Sequence, residues 1–363
     1  MDKNNKFLKP WQFDLEEYIR QGETNKIEKS YAWKTAIGLQ DVDGLAISQY
    51  LLATAKEHIE GNIDIAVAKE RIDSYYESRE IRTDIEDETE EADKVAARIA
   101  QILSEKTFQF SPAEYLTIHR RLFSGIYDHA GTIRSHNITK KEWVLQGETV
   151  LYASADSIES TLDYDFKMEK QFSYQDLSLV EAVKHLAKFT SDIWQIHPFG
   201  EGNTRTTAVF IVKYLKTFGF TINNDAFAEN SWFFRNALVR ANYNNLVQGV
   251  HATTEYLEKF FSNLLLGTKY ELKNRYLVIH AEREFKSAID SDLKCQNGTL
   301  ECSLEELAVL NLLKEYPAMT QKELATRIGK SERTVKRITV ALQQKGLIER
   351  LNGKKNGKWV ILS

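Results

Sequence analysis

Two helical runs meet at a short polar break near the middle of the chain, and this arrangement narrows the fold more than any other feature. From Asp176 to Ile196 the apolar residues Leu179, Val183, Leu186, Ile193 and Trp194 recur at helical spacing. Pro198 ends that run, because proline disfavours helical geometry in the residue before it, and Gly200 and Gly202 follow. A second run, Asn203 to Phe218, sets Val209, Phe210, Val212, Tyr214 and Leu215 on an apolar face. The spacing therefore predicts helix, tight loop, helix.

The loop, His197-Pro198-Phe199-Gly200-Glu201-Gly202-Asn203-Thr204-Arg205, gathers an imidazole, a carboxylate, an amide and a guanidinium at a helix start. Unpaired N–H groups and a partial positive charge at a helix N-terminus suit an anion such as a phosphate. A carboxylate there suits Mg²⁺, which binds through one or two carboxylates plus substrate phosphates. The histidine suits general-base work near neutral pH.

This run resembles the Fic motif, H-x-F-x-D/E-G-N-G/K-R-x-x-R, with His197, Phe199, Glu201, Gly202, Asn203 and Arg205 in place. The resemblance implies transfer of a nucleotide monophosphate, usually AMP from ATP, to a Ser, Thr or Tyr hydroxyl of a target protein or of the chain itself. It implies His197 as base, Glu201 as the Mg²⁺ ligand, Gly200, Gly202, Asn203, Thr204 and Arg205 around the phosphates, and Phe199 as a buried anchor. Two positions depart from the pattern. Thr204 stands for the second glycine, and Ala208 for the second arginine, which in the family binds the γ-phosphate.

Other stretches fit the same family. Leu45 to Ile59 reads as a helix stopped at Glu60-Gly61-Asn62, a simple C-cap by sequence alone. Many Fic proteins carry an inhibitory helix of the form S/T-x-x-x-E-G/N, which implies an inhibitory role for Glu60, although Lys56 stands at the Ser/Thr position. The stretch Ala130-Gly131-Thr132-Ile133-Arg134 through Lys140 resembles the A-G-x-x-R that precedes a β-hairpin flap in Fic cores. Residues 137–152 read as that hairpin, the expected docking place of a target protein by strand addition. Asn230 to Asn245 reads as a helix, with Phe234 and Asn242 as candidates for the nucleotide's base pocket. Tyr256 to Leu266 and Lys269 to Lys286 also read as helical. His119, within a helix from Tyr115 to Phe123, is taken as a packed or surface residue outside the site.

At the C-terminus, Leu304 to Lys314 and Gln321 to Ile328 read as helices, the second opened by a Thr320/Glu323 capping box. Ser331 caps a third, Glu332 to Lys345. Two strand-like runs, 347–351 and 358–362, flank an Asn-Gly-containing turn. This resembles a winged helix-turn-helix. Its third helix offers Ser331, Arg333, Thr334, Lys336 and Arg337 to a DNA groove, and the wing offers Lys354, Lys355 and Lys358 to phosphates. Charge agrees: 319–363 holds 11 Lys and Arg against 3 Asp and Glu, a balance of +8 within a net −4, leaving −12 elsewhere. The same fold used for protein contacts stays open.

Four prolines in 363 residues and little strand-like alternation give a mostly α chain: a Fic-like helical core with a small β-hairpin flap, plus the winged helix-turn-helix. The expected domains are an N-terminal helical lobe (1–105, with the inhibitory helix at about 45–61), a Fic-like core (106–270), a helical segment and linker (271–300), and the winged helix (301–363). No apolar run reaches the ~18 residues of a membrane helix. Two cysteines, Cys295 and Cys302, form no disulfide framework or zinc spacing, so a cytoplasmic protein without membrane partners is expected. The leading expectation is a protein adenylyltransferase using ATP and Mg²⁺. The alternative is a DNA-binding transcriptional regulator with a nucleotide-sensing, weakly active or inactive core.

Overall fold

The computed structural model describes residues 15, 24–78, 84–175, 177–220, 226–279, 302–351 and 357–362. These are mostly helical and divide into two compact units. The first comprises 1–170, 189–212 and 223–281, and the second 171–188, 213–222 and 282–363. The helices in chain order are α1 Thr24–Gly38, α2 Gln49–Glu60, α3 Ile65–Glu77, α4 Asp84–Ser104, α5 Pro112–Phe123, α6 Ile158–Gln171, α7 Leu179–Ile196, α8 Asn203–Thr217, α9 Ala226–Ala241, α10 Glu255–Phe261, α11 Leu304–Glu315, α12 Gln321–Ile328 and α13 Glu332–Gln344. A 3-10 turn, Leu39–Asp43, continues α1.

Local chemistry sets the helix ends in the first unit. The side chains of Ser48, Asp64 and Ser111 accept hydrogen bonds from the backbone N–H groups of Leu51, Val67 and Glu114 and so cap α2, α3 and α5. Pro112 opens α5, where its missing N–H costs nothing. Asp93 of α4 then ties three elements together. It accepts from the Ser48 backbone N–H at 2.9 Å, from the Ser48 hydroxyl, and from Tyr76 Oη of α3 at 2.6 Å. α1 packs along α4 and α9, and α3 along α4.

The core that carries the central loop is aromatic. Phe110, Tyr115, Phe166, Phe199 and Phe210 meet with ring centroids 5.1 to 6.2 Å apart, in tilted, stacked or edge-on pairs. Phe199, from the loop itself, is 0% exposed. Burying such a ring stabilises by roughly 1.5–3 kcal/mol, which anchors the loop to the domain interior.

Three expectations are corrected. Residues 137–152 contain no strand. The chain does reverse there, with Glu142 N–H donating to Glu148 O (2.9 Å), but it does so around a 3-10 turn, Trp143–Leu145, and Gln146 in left-handed geometry. The helix expected over 230–245 begins four residues earlier and kinks at Asn230 (φ −126°, ψ 26°). The one expected over 269–286 is absent through residue 279, where only a 3-10 turn, Asn274–Leu277, forms.

In the second unit, α11, α12 and α13 pack together with β1 (Ile348–Leu351) and β2 (Lys358–Ile361), which pair antiparallel from Ile348↔Ile361 to Leu351↔Lys358. This is the winged helix expected. Capping boxes open α11 (Ser303/Glu306) and α12 (Thr320/Glu323), and Gly329 ends α12 in left-handed geometry. Trp359 fastens the wing, donating from its backbone to Pro317 O (2.7 Å) and from Nε1 to Met319 O (3.0 Å). The linker of 280–301 and the wing turn 352–356, with the candidates Lys354 and Lys355, lie outside the described residues. Among the described residues, no helix is long and apolar enough to cross a membrane.

Candidate functional site

His197 follows directly on the end of α7, with φ at +49°, a left-handed geometry uncommon for a side chain with a Cβ. Arg134 holds it there. Its Nε donates to His197 O at 2.8 Å, and its two terminal nitrogens reach Ile196 O, His136 O and Ala153 O. A guanidinium on the carbonyls that end a helix also suits the helix dipole. The imidazole is 3% exposed, and its Nδ1 lies 3.1 Å from Trp194 O. A carbonyl can only accept, so Nδ1 carries the proton and Nε2 keeps its lone pair. Burial, then the nearby Lys140 charge, holds the pKa of His197 well below the ordinary histidine value. It is therefore neutral at neutral pH.

The polar residues of the loop mostly face inward. Asn203 uses both ends of its amide on Phe199, accepting from its N–H (3.0 Å) and donating to its carbonyl (2.8 Å). Thr204 Oγ1 accepts from Trp194 Nε1 at 2.9 Å. These side chains close the loop, and the first turn of α8 adds the backbone N–H groups that a helix start leaves without intrahelical partners. Gly202 (φ +76°) is obligatory, because a Cβ there would lie 2.4 Å from the Phe123 ring. Gly200 sits over His129, whose Nε2 would be 3.2 Å from an added Cβ.

His119, set aside in the sequence, lies beneath the loop. Its ring stacks on Phe199 at 3.6 Å between centroids. Nδ1 accepts from Gly131 N–H (2.8 Å), so Nε2 donates to Glu201 O (3.0 Å). Burial lowers its pKa to about 4, in keeping with a neutral ring. No spacing signal separates this histidine from an ordinary one on a packed helix face.

Arg205 is 1% exposed and turned toward the N-terminal helices. Nε pairs with Asp43 Oδ2 at 2.8 Å, Nη1 donates to Gln40 Oε1 at 3.2 Å, and Nη2 reaches Glu91 Oε1 at 2.6 Å and Tyr127 Oη at 3.2 Å. In this structure Arg205 is a strut between α8, the Leu39–Asp43 turn and α4. Ala208, one turn on, is 0% exposed.

Glu201 points outward, its side chain 58% exposed, and pairs with Lys140 Nζ at 2.8 Å. Among the described residues, no group of three His, Cys, Asp or Glu is placed to hold a metal. One outward carboxylate beside a helix N-terminus fits Mg²⁺ only as it arrives on a nucleotide, with phosphates completing its shell.

The two base-pocket candidates are both engaged by neighbouring protein groups. Phe234 is 0% exposed and packs among Phe227, Phe260 and Phe261, so it is core. Asn242 Nδ2 donates to Ser191 O, Ser191 Oγ and Leu238 O, fastening the end of α9 to α7. Glu60 ends α2 at an exposed position and accepts from Asn62 Nδ2 at 3.2 Å. Gly61 beyond it takes the left-handed cap (φ +87°). The carboxylates that engage the motif arginine are Asp43 and Glu91.

A further group stands behind His197. The Tyr152 ring lies 4.2 Å from the imidazole, and its hydroxyl donates to Glu142 Oε1 at 3.2 Å. Glu142, 1% exposed, is paired with Arg235 at 2.7 Å.

In the second unit α13 separates its residues by face. Val335, Ile338, Thr339 and Leu342 are buried, whereas Arg333, Lys336 and Arg337 are exposed and Thr334 is half-buried. Ser331 caps the helix, accepting from Thr334 N–H.

A neutral, pinned histidine, an outward carboxylate and a helix N-terminus thus meet in one loop of the first unit, and an exposed basic face lies on a winged fold in the second. Comparison with known families agrees. Residues 109–215 match the model of the Fic/DOC family, and residues 302–360 match that of the MarR family. Solved structures that the chain resembles include the N-terminal FIC domain of Bep8, a VirB-translocated effector of Bartonella sp. 1-1C. That match has 18% identity and TM-score 0.37, covering 52% of this chain and 85% of that one. Another is a Fic family protein of Desulfovibrio desulfuricans G20, with 12% identity and TM-score 0.38, covering 91% of this chain and 87% of that one. No curated protein matches the chain.

Proposed function

We propose that the first unit transfers a nucleoside monophosphate, AMP from ATP, to a Ser, Thr or Tyr hydroxyl of a target protein or of the chain itself. The observation that carries this reading is His197, neutral and with Nε2 unprotonated, beside the N-terminus of α8. Nε2 takes the proton of the attacking hydroxyl, and the hydroxyl oxygen bonds to the α-phosphorus. The bond from that phosphorus to the oxygen bridging the β-phosphate breaks, and pyrophosphate leaves. Backbone N–H groups of the α8 first turn face the growing negative charge, the kind of fixed donor that carries most of phosphoryl-type catalysis. Glu201 is the carboxylate that would hold an Mg²⁺ carried by ATP, which would supply charge neutralisation at the phosphates. The exposed Trp143 and Leu151 of the 137–152 segment give a target an apolar foothold.

The test uses ATP labelled at either the α- or the γ-phosphate. α-Label retained on protein and absent from His197→Ala supports the reading. Retained γ-label would instead mean phosphoryl transfer. Glu60→Gly, run beside them, assigns restraint to that carboxylate if label rises and removes that role if it does not.

The MarR family match supports a second role for residues 302–360, DNA binding through Arg333, Lys336 and Arg337. Arg205 being engaged by carboxylates, with Ala208 uncharged, favours a regulator whose core senses nucleotide more than it turns it over. DNA affinity that falls steeply with salt and is lost on deleting 302–363 supports the role, and salt-insensitive binding argues against it.

A further inference from the structure

The described loop has no motif arginine to give to phosphates. Arg205 points its guanidinium at Asp43, Glu91, Gln40 and Tyr127, and Ala208 is apolar and buried. A triphosphate laid on the N-terminus of α8 carries several negative charges, and backbone dipoles alone offset them weakly. A cationic side chain does reach the loop's outward carboxylate. Lys140, from the segment that folds over between Arg134 and Tyr152, places Nζ 2.8 Å from Glu201 Oε2. Its stem is fixed at the backbone, where Lys140 N–H donates to Thr149 Oγ1 at 3.2 Å. The ammonium thus sits beside the carboxylate that precedes the first turn of α8, and its field reaches His197.

We infer that Lys140 is the residue that binds the nucleotide's β- and γ-phosphates, supplying the positive charge that Arg205 and Ala208 do not. The inference rests on the proposed nucleotide reading of this loop. Without ligand, Glu201 holds the ammonium in place. With Mg²⁺·ATP bound, Glu201 turns to the metal and Lys140 to the phosphates, so each anionic group keeps a cation. A lysine serves here because a point charge on a flexible stem can move between the two partners.

Equilibrium binding of ATP, ADP and AMP, each with Mg²⁺, to the full-length wild type, Lys140→Ala and Lys140→Arg tests it. Removing a charge-assisted hydrogen bond to phosphate weakens binding by about tenfold or more. The expected result is a weakening of that size for ATP and ADP with Lys140→Ala, a change of less than about twofold for AMP, and substantial recovery with Lys140→Arg. Equal weakening for all three nucleotides would make Lys140 a support of the folded-over segment and overturn the inference. Unchanged or tighter ATP binding would make it a bystander or a competitor of the metal, and would overturn it as well. Wild type that binds none of the three would instead remove the nucleotide reading itself.

Discussion

The central loop and α13 are both polar stretches read as functional, yet they place their polar groups in opposite ways. On α13 the division follows the helix period. Val335, Ile338 and Leu342 are buried, and Arg333, Lys336 and Arg337 face out. In the loop, the residues most conspicuous in the sequence are turned inward: Asn203 to Phe199, Thr204 to Trp194, and Arg205 to Asp43 and Glu91. Glu201 alone of these charged loop residues points outward, where it pairs with Lys140. A helix face is decided by local spacing, whereas a loop side chain is decided by whichever distant group meets it.

Substitutions sharpen this contrast. The largest effect is expected from Gly202→Ala. A Cβ 2.4 Å from the Phe123 ring and a positive φ together cost about 4 kcal/mol, read as a lower urea midpoint. An unchanged midpoint would mean that the loop is less tightly braced than its inward bonds imply.

Acidification comes next. Burial lowers the pKa of His58 and of His119 to about 4, so both are neutral in the fold and protonated in the unfolded chain between about pH 6.5 and 4. Stability supplied by them is present above that window and falls as pH falls through it. Asp93, raised to about 6 by burial, acts in the opposite sense over about pH 4 to 6. These two histidines outweigh the aspartate, and His197, also held low by burial, acts in their sense, so going from pH 7 to pH 5 is expected to cost at least about 2 kcal/mol. Thermal melts at the two pH values measure it, and a flat profile would contradict the neutral assignment of His119.

Glu91→Ala follows. Removing one partner of the buried Arg205 costs about 2 kcal/mol, below the range for fully buried pairs because Glu91 is partly exposed. If Arg205 were a phosphate ligand in waiting, the same change would strengthen ATP binding with little loss of stability.

The smallest effect on stability belongs to Arg333→Ala and Arg337→Ala, within about 0.5 kcal/mol. Each should nonetheless lower the salt slope of DNA binding by about 1. A stability loss comparable to that of Glu91→Ala would erase the contrast between the two regions.

Much of this was legible in the sequence. Pro198, Gly200 and Gly202 marked the break between α7 and α8, and Thr320, Gly329 and Ser331 marked the ends of α12 and the start of α13, because caps are local. The motif singled out His197, Glu201, Asn203 and Arg205 but carried no trace of the partners their side chains take up, Asn203's at Phe199 and Arg205's more than 75 residues away in sequence at Tyr127, Glu91 and Asp43. His119 and Phe234 show the same limit from both sides. One histidine on a helix face supports the loop, one aromatic on a helix face is core, and periodicity is alike for both. The 137–152 strands were misread because alternation without a partner ladder closes into a 3-10 turn just as well.

The most direct test of the central claim is the intact mass of purified full-length protein after incubation with ATP and Mg²⁺, beside His197→Ala. The account predicts an AMP adduct on wild type and at least a hundredfold less on His197→Ala, the order expected for losing a general base. An adduct of equal yield on both proteins would contradict it.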